Sequence, residues 1–181
     1  MKKIMVNPKC GMLLLGAILL GNPISVQAET TKTDIQVGGK AAAFVQPALS
    51  GDVPTAIVYD SSNPESKADA DGIAAAIGGG LQIKNSTLKP TLVDVSNLGA
   101  LSSVKVAFLT HGMGGHQSAV ASAAAQSGIL TISNDMSCVE SDLCVVGVES
   151  SPKVSIVVSK SATQASSLSF GSAFLMMVKE R

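Results

Sequence analysis

The sequence is poor in aromatic residues and carries no net charge. It contains no tryptophan, one tyrosine and four phenylalanines, and its thirteen basic and thirteen acidic residues cancel. A nucleic-acid-binding protein needs a basic face, and a single-strand binder also needs aromatic side chains on which bases stack. Because the sequence offers neither, we expect no nucleic-acid partner.

Long apolar runs are also scarce. The clearest is MLLLGAILLG (12–21), which follows a basic start and is followed by Pro23 and by VQA (26–28). A basic start, a short apolar run and small residues before a cleavage point are typical of a secretory signal peptide, and this run is about half the ~20 residues of a spanning helix. We expect residues 1–28 to be a cleaved signal peptide and the protein to be periplasmic; a retained membrane anchor is the alternative.

Cysteine is rare as well. Cys10 falls within the expected signal peptide, which leaves Cys138 and Cys144 in the stretch SCVESDLC. Two cysteines are too few for a structural zinc site, and their spacing differs from the CxxC of redox-active pairs. In an oxidising compartment we expect a disulfide that closes this small loop. A redox-active pair is the alternative.

The chain beyond residue 28 is predicted to contain one domain. Residues 29–52 mix Thr, Gly and Ala and are interpreted as an N-terminal tether, and residues 53–181 as a single α/β domain. Compact runs rich in branched residues predict strands buried on both faces. These runs are TAIVYD (55–60), TLVDVS (91–96), VKVAFLT (104–110) and ILTIS (129–133).

Helical patterns separate these strands. Residues 61–80 have Pro64 in the first turn, 115–128 are rich in alanine and serine, and 162–179 predict a final amphipathic helix. Two further apolar runs, 141–149 and 153–159, lie on either side of an SSP turn and predict a hairpin. We therefore expect a mostly parallel sheet flanked by helices in a Rossmann-like three-layer arrangement, with a C-terminal β-hairpin and helix.

Polar residues follow each predicted parallel strand. In open α/β sheets ligands bind beyond the carboxyl ends of the strands, so these residues are candidates for ligand binding. The alternative is that they only form turns and helix caps, where Ser, Asn and Asp are common anyway. The candidates are Asp60, Ser61, Ser62, Asn97, His111, Gly112, Asn134 and Asp135.

The stretch THGMGGHQSA (110–119) places two histidines around a glycine-rich turn. It is not part of an esterase pattern, since the chain has no G-x-S-x-G nucleophile elbow, nor of a dinucleotide fingerprint, since Gln117 stands at the third glycine position. A metal site needs at least three protein ligands; in that alternative His111 and His116 would supply two and Asp135 the third, although nothing in their spacing requires it. Two further readings are an anion held by the turn's amides and a plain strand-to-helix turn. We expect a protein that is not an enzyme, with no bound metal and no cofactor.

The C-terminal half resembles the YfiR-like periplasmic proteins. The resemblance rests on ILTISND (129–135), CVVGVE (144–149), VSIVVS (154–159) and the closing segment 165–179 with its LSFGSAFL stretch. The cysteine pair of that family near this hairpin has a counterpart in Cys138 and Cys144. The resemblance implies a regulator that restrains an inner-membrane diguanylate cyclase by binding its periplasmic domain.

A second resemblance, to one lobe of a periplasmic solute-binding protein, rests on TAIVYDSSNPESKADADGIAAAI (55–77). It implies a small-molecule ligand. The first hypothesis is therefore a non-enzymatic periplasmic regulator that recognises an inner-membrane signalling protein and forms a homodimer. The alternative is a binding lobe for a small molecule or an anion, related to the solute-binding proteins of ABC transporters.

Overall fold

A computed structural model describes residues 29–181, and the predicted signal peptide, 1–28, lies outside the described residues. The strands are β1 (Val45–Gln46), β2 (Gly51–Tyr59), β3 (Leu81–Ile83), β4 (Ser86–Asp94), β5 (Val106–Leu109), β6 (Leu130–Ser133), β7 (Val146–Glu149), β8 (Ser155–Val158), β9 (Ser169–Phe170) and β10 (Lys179–Glu180). The α-helices are α1 (Lys32–Ala42), α2 (Pro64–Ile77), α3 (Gln117–Ser127), α4 (Met136–Glu140), α5 (Lys160–Ala165) and α6 (Ser172–Leu175), with 3-10 segments at Val95–Ser103 and Gly114–His116.

Eight strands form one sheet in the order β10-β8-β7-β6-β5-β2-β4-β3. The five central strands β7, β6, β5, β2 and β4 are mutually parallel. β3 pairs antiparallel with β4, and β8 forms the predicted antiparallel hairpin with β7. The expected mostly parallel sheet is confirmed. β1 and β9 form a separate two-stranded ribbon.

Helices cover both faces of the sheet, as the three-layer prediction requires. Along β2 the side chain of Ile57 packs into the layer of α1 and α2, while Ala56 and Val58 pack into the opposite layer with α3 and α4. This division follows from the strand geometry, in which successive side chains point to opposite faces. Branched runs such as TAIVYD are apolar throughout because both faces are buried.

The prediction of a tether over residues 29–52 is wrong where α1 forms. Thr31 begins this helix with a capping box, in which the Asp34 amide donates to Thr31 Oγ1 over 3.1 Å and the Thr31 amide donates to Asp34 Oδ2 over 2.8 Å. Gly38 and its neighbour then lie directly against the sheet: a Cβ on Gly38 would be 2.8 Å from Cγ2 of Ile132. The glycines that suggest a linker in the sequence allow this helix to approach the core.

The prediction of one final helix over residues 162–179 is also wrong. The segment forms α5, β9, α6 and β10 instead. Serine and glycine interrupt the helical pattern, and Ser167 adopts a left-handed φ of 52° just after α5. Phe170, inside the predicted helix, pairs with Val45 in the small ribbon.

The predicted disulfide is present. Cys138 lies in α4 and Cys144 just before β7, with their Cα atoms 5.3 Å apart. Both side chains are fully buried. The bridge therefore joins α4 to the start of the hairpin. Within residues 29–181, none of the helices combines the length and the apolar character that a membrane crossing requires.

Candidate ligand site at the carboxyl edge of the sheet

The five parallel strands end along one edge of the sheet, which we call the carboxyl edge. The residues predicted from the sequence follow these strands. Because the strands are parallel, these residues lie along the same edge of the sheet. The strands end at Tyr59, Asp94, Leu109, Ser133 and Glu149.

Asp60 organises the loop after β2. Its Oδ1 accepts hydrogen bonds from the amide of Ser62 at 2.9 Å and from the hydroxyl of Ser62 at 2.6 Å. Its own amide donates to Oγ of Ser66, which lies on α2. The bonds from Ser62 lower the pKa of Asp60, with a smaller contribution from His116, whose Nε2 is 3.6 Å from Oδ2. This carboxylate therefore shapes the turn and is ionised at neutral pH.

Ser61 is joined to the end of β4 rather than to a pocket. Its amide donates to Oδ2 of Asp94 at 3.0 Å, and the amide of Ser96 donates to Oδ1 of the same carboxylate at 2.8 Å. Bonds from Ser61 and Ser96 lower the pKa of Asp94. Asn97 is exposed and lies at a kink in the 3-10 segment that follows. Among the described residues it makes no side-chain hydrogen bond to the other candidates.

The turn after β5 requires glycine. Gly112 has a φ of 73°, and a Cβ there would lie 2.7 Å from Nδ2 of Asn63. That Nδ2 instead donates to the Gly112 carbonyl at 2.9 Å, while Oδ1 of Asn63 caps α2 by accepting from the Glu65 amide. One asparagine thus fixes the start of α2 against the turn that carries His111.

Asp69 links three parts of this edge and was missed in the sequence. It lies on α2 and is 3% exposed. Its Oδ2 accepts from the amide of His111 at 2.9 Å and lies 2.9 Å from Oγ1 of Thr30, and its Oδ1 accepts from the Thr30 amide at 2.8 Å. Oγ1 of Thr30 is also 3.0 Å from the side-chain amide of Asn134. The N-terminal segment, α2 and the loop after β5 therefore meet at one buried carboxylate, and Thr30 extends the contact to the loop after β6.

Asp135 follows β6 and has two structural partners. Its Oδ1 caps α4 by accepting from the amide and the hydroxyl of Ser137 at 3.0 and 2.6 Å. Its Oδ2 accepts from Nε2 of Gln117 at 2.8 Å. Both carboxylate oxygens are thus hydrogen-bonded, and the side chain of Asp135 is held in one position at the carboxyl edge.

The two histidines of the 110–119 stretch have different partners and are not arranged to bind one metal ion together. His116 is half-exposed and faces Asp60, whereas the amide of His111 is bound by Asp69. Three carboxylates therefore surround the turn, those of Asp60, Asp69 and Asp135. They would repel a free anion, so the geometry disfavours the anion reading. In the part of the chain that the structure describes, no cluster of three or more His, Cys, Asp or Glu side chains is arranged to hold a metal ion.

A cavity of about 210 Å³ opens at the carboxyl edge. It brings together three residues predicted from the sequence, His111, Asn134 and Asp135, but not Asp60, Ser61, Ser62, Asn97 or Gly112. Its full lining is Glu29, Thr31, Asp34, His111, Asn134, Asp135, Met136, Val148, Glu149, Ser150 and Ser151. Two of these residues carry buried side-chain atoms without a hydrogen-bond partner in the structure, namely Oδ1 of Asp34 and Nε2 of His111.

A larger cavity, of about 390 Å³, lies at the opposite edge of the sheet. It is mostly apolar, and none of the candidate residues reaches it. We take the smaller cavity as the candidate site because it lies at the carboxyl edge and contains three of the predicted residues, His111, Asn134 and Asp135. The larger cavity is lined by Val45, Pro47, Ala48, Leu49, Ser50, Asp52, Val53, Pro54, Lys105, Gly128, Leu130 and Leu168.

Sequence reasoning missed Asp34 and Asp69, although both left a signal. Ser66 and Asp69 stand at helical spacing with the apolar residues Ala70 and Ile73, so they belong to the buried face of α2. Polar residues on a buried face require partners, and their place near the helix start directs them to the carboxyl edge. The signal for Asp34 is its spacing of three from Thr31, which is that of a capping box.

Neither a protein-family model nor a curated protein matches this sequence. The YfiR-like resemblance thus gains no support from these comparisons. Among solved structures, the chain is similar to one described as the ABC domain in complex with L-Trp from Streptococcus pneumonia, with a TM-score of 0.58 and 14% sequence identity. The alignment covers 81% of this chain and 60% of that chain. The likeness confirms the α/β fold.

Proposed function

We propose that this protein is an exported, non-enzymatic binding module that holds a small molecule at the carboxyl edge of its sheet. The observation that carries the proposal is the 210 Å³ cavity, which brings His111, Asn134 and Asp135 together at the carboxyl ends of the parallel strands. The solved neighbour, whose description names an L-Trp complex, has the same fold.

Export to the periplasm is part of the proposal. The apolar run at residues 12–21 supports it, as does the buried disulfide between Cys138 and Cys144, since disulfides persist mainly in oxidising compartments. Mass spectrometry of protein taken from the periplasmic fraction tests it. A chain that begins at Glu29 supports export, and a full-length chain found in the cytoplasm contradicts it.

A thermal-shift screen of small metabolites, with L-tryptophan included, tests ligand binding. A ligand at 100 times its Kd stabilises the folded state by about 2.7 kcal/mol. The expected hit loses its effect in His111→Ala and Asn134→Ala but keeps it in Lys105→Ala, a matched change in the opposite cavity. A screen without hits, or a hit that is unaffected by both edge variants, would contradict this site.

Recognition of an inner-membrane protein is the second candidate function. Three exposed apolar side chains favour it, Met176, Met177 and Val154, which flank β10 and β8 at the end of the sheet. Contiguous exposed apolar residues are typical of protein-interaction surfaces. The resemblance to YfiR-like proteins suggests a diguanylate cyclase as the partner, and self-association through the same surface would give a homodimer.

Affinity capture from detergent-solubilised membranes distinguishes this candidate. We expect recovery of a membrane cyclase that is lost in the double variant Met176→Ser/Met177→Ser. Leu92→Ser is the control, because Leu92 is also an exposed apolar residue but lies on β4, near the other end of the sheet. Equal recovery with all three proteins, or no cyclase at all, would contradict it.

A further inference from the structure

The larger cavity, of about 390 Å³, lies where the parallel strands begin, at the edge that we call the amino edge. Its volume is within the range of about 300–1,000 Å³ that is usual for small-molecule sites. Its lining includes the partly buried Leu49 and three buried side chains, Val45, Val53 and Leu130. An apolar group that enters this cavity exchanges water for an apolar wall, which is favourable.

One positive charge belongs to the same lining. Lys105 comes directly before β5, the strand between β2 and β6. Its amide donates to the carbonyl of Pro54 over 2.9 Å, and its carbonyl accepts from the amide of Leu130 over 3.0 Å. Its side chain is exposed and makes no ion pair within residues 29–181. The backbone is therefore fixed between two lining strands, while the ammonium is available to a ligand.

The segment 47–50, between β1 and β2, forms one wall of the cavity. The amides of Ala48, Leu49 and Ser50 donate to no other residue in the part of the chain that the structure describes. Leu49 packs against the core, so apolar contact holds this wall in place. Amides without a protein partner are ready donors for an anionic group, and hydrogen bonds to an ionised acceptor are the stronger kind.

Asp52 is the one carboxylate in the lining and lies towards its margin. It stands on β2 two residues before Pro54, where its register partner is Thr87 of β4. Among the described residues no ion pair joins it to Lys105. Because repulsion grows with charge, Asp52 disfavours a doubly charged head group, such as a phosphate ester, more than a singly charged carboxylate.

We propose that the amino-edge cavity binds a small amphipathic acid, in which an apolar chain ends in one carboxylate. The chain lies against Val53 and Leu130, and the carboxylate receives the ammonium of Lys105 and amides of the 47–50 segment. This site is separate from the carboxyl-edge cavity and does not rest on the function proposed for it.

Three ligands of equal chain length and different head group test the proposal. We would titrate octanoate, octylamine and 1-octanol by calorimetry and follow the amide signals of ¹⁵N-labelled protein. Octanoate is expected to bind and to shift the signals of Ala48, Leu49 and Ser50, and the other two to bind about tenfold more weakly or less. Hexanoate, two methylenes shorter than octanoate, should bind roughly tenfold more weakly because less apolar surface is buried.

Variants of Lys105 test the assigned charge. Lys105→Ala keeps both backbone hydrogen bonds and should weaken octanoate binding by about three- to tenfold, whereas Lys105→Arg should restore most of it. Lys153→Ala is the matched control, because Lys153 is also an exposed lysine but lies between β7 and β8 at the carboxyl edge. Asp52→Asn should leave octanoate binding unchanged or make it tighter.

The outcomes separate this site from the carboxyl edge. Octanoate bound here responds to Lys105→Ala and not to His111→Ala or Asn134→Ala; the reverse response assigns the acid to the carboxyl edge and overturns the proposal. Octylamine or octanol that binds as tightly as octanoate overturns the acid class. Octanoate that does not bind, or that Lys105→Ala and Lys153→Ala weaken equally, also overturns it, and each of these results leaves the carboxyl-edge proposal standing.

Discussion

The backbone amide of His111 donates to the carboxylate of Asp69 over 2.9 Å, across 42 positions of the chain. Because Thr30 binds the same carboxylate through its amide and its hydroxyl, one side chain of α2 holds both the turn after β5 and the start of the described chain. The cavity wall therefore depends on a residue that does not line it. This arrangement leads to the first of four predictions.

Asp69→Ala is expected to lower the free energy of unfolding by about 2–4 kcal/mol, because it removes a charged acceptor and leaves the His111 amide without a partner. Urea denaturation at neutral pH measures this. Asp71→Asn is the control: Asp71 is on the same helix but exposed, where it pairs with Lys67. Surface pairs contribute little, so an equally large loss in the control would refute the central role of Asp69.

Gly38→Ala is expected to destabilise the protein by about 1–3 kcal/mol, although alanine normally favours a helix. The new Cβ would meet Cγ2 of Ile132 at 2.8 Å and Cε1 of Phe108 at 3.3 Å, both in the buried core. Gly72→Ala in α2 meets nothing within 4 Å and should stabilise by up to about 1 kcal/mol. Thermal melts of the two variants should thus shift in opposite directions, and a gain at position 38 would contradict the packing of α1.

Reduction of the Cys138–Cys144 disulfide is expected to cost about 2 kcal/mol, the amount for a loop this short. Urea unfolding of residues 29–181 with and without reductant provides the measurement. The double variant Cys138→Ala/Cys144→Ala should show no response to reductant. Free thiols detected in protein purified without reductant would show that the bond does not form.

Stability should fall as the pH decreases below about 4. The pKa values of Asp60 and Asp94 lie below the ordinary 3.8 in the folded protein, because Ser62 donates to the former and Ser61 and Ser96 to the latter. A group with a lowered folded pKa stabilises fully above its unfolded pKa and loses that contribution as the pH falls through the folded value. Asp94→Asn should flatten the dependence of Tm on pH between 5 and 2; an unchanged slope would contradict this assignment.

The central strands could be predicted because burial on both faces demands continuous apolar runs, and α2 because Pro64 and Asn63 mark its start. The same reasoning predicted only the second half of β4, from residue 91, and missed the first half, which begins at Ser86 and contains Pro90. β3 pairs only with the first three residues of this strand. Beyond them the strand borders the sheet edge, where a proline is tolerated.

The candidate site was half predictable for a physical reason. Loop residues after strands are found from topology alone, and three of the eight predicted in this way, His111, Asn134 and Asp135, line the cavity. Asp34 and Asp69 reach the site from helices, so their arrival depends on how α1 and α2 pack, and local patterns do not encode that packing. Asn97 shows the opposite case, a loop residue that does not reach the cavity. It follows β4, but the 3-10 segment leaves its side chain exposed to solvent.

Distant relatives of this chain should be recognisable from the spacing of a few residues. The capping box and the close contact of α1 give the pattern T-x-x-D-x-x-x-G-G (31–39), and the start of α2 gives N-P-x-S-x-x-D (63–69). Each position makes a contact described above, so we expect it to be conserved among relatives in which exposed residues vary. A sequence that carries both patterns at this separation would be a stronger candidate relative than overall identity alone would suggest.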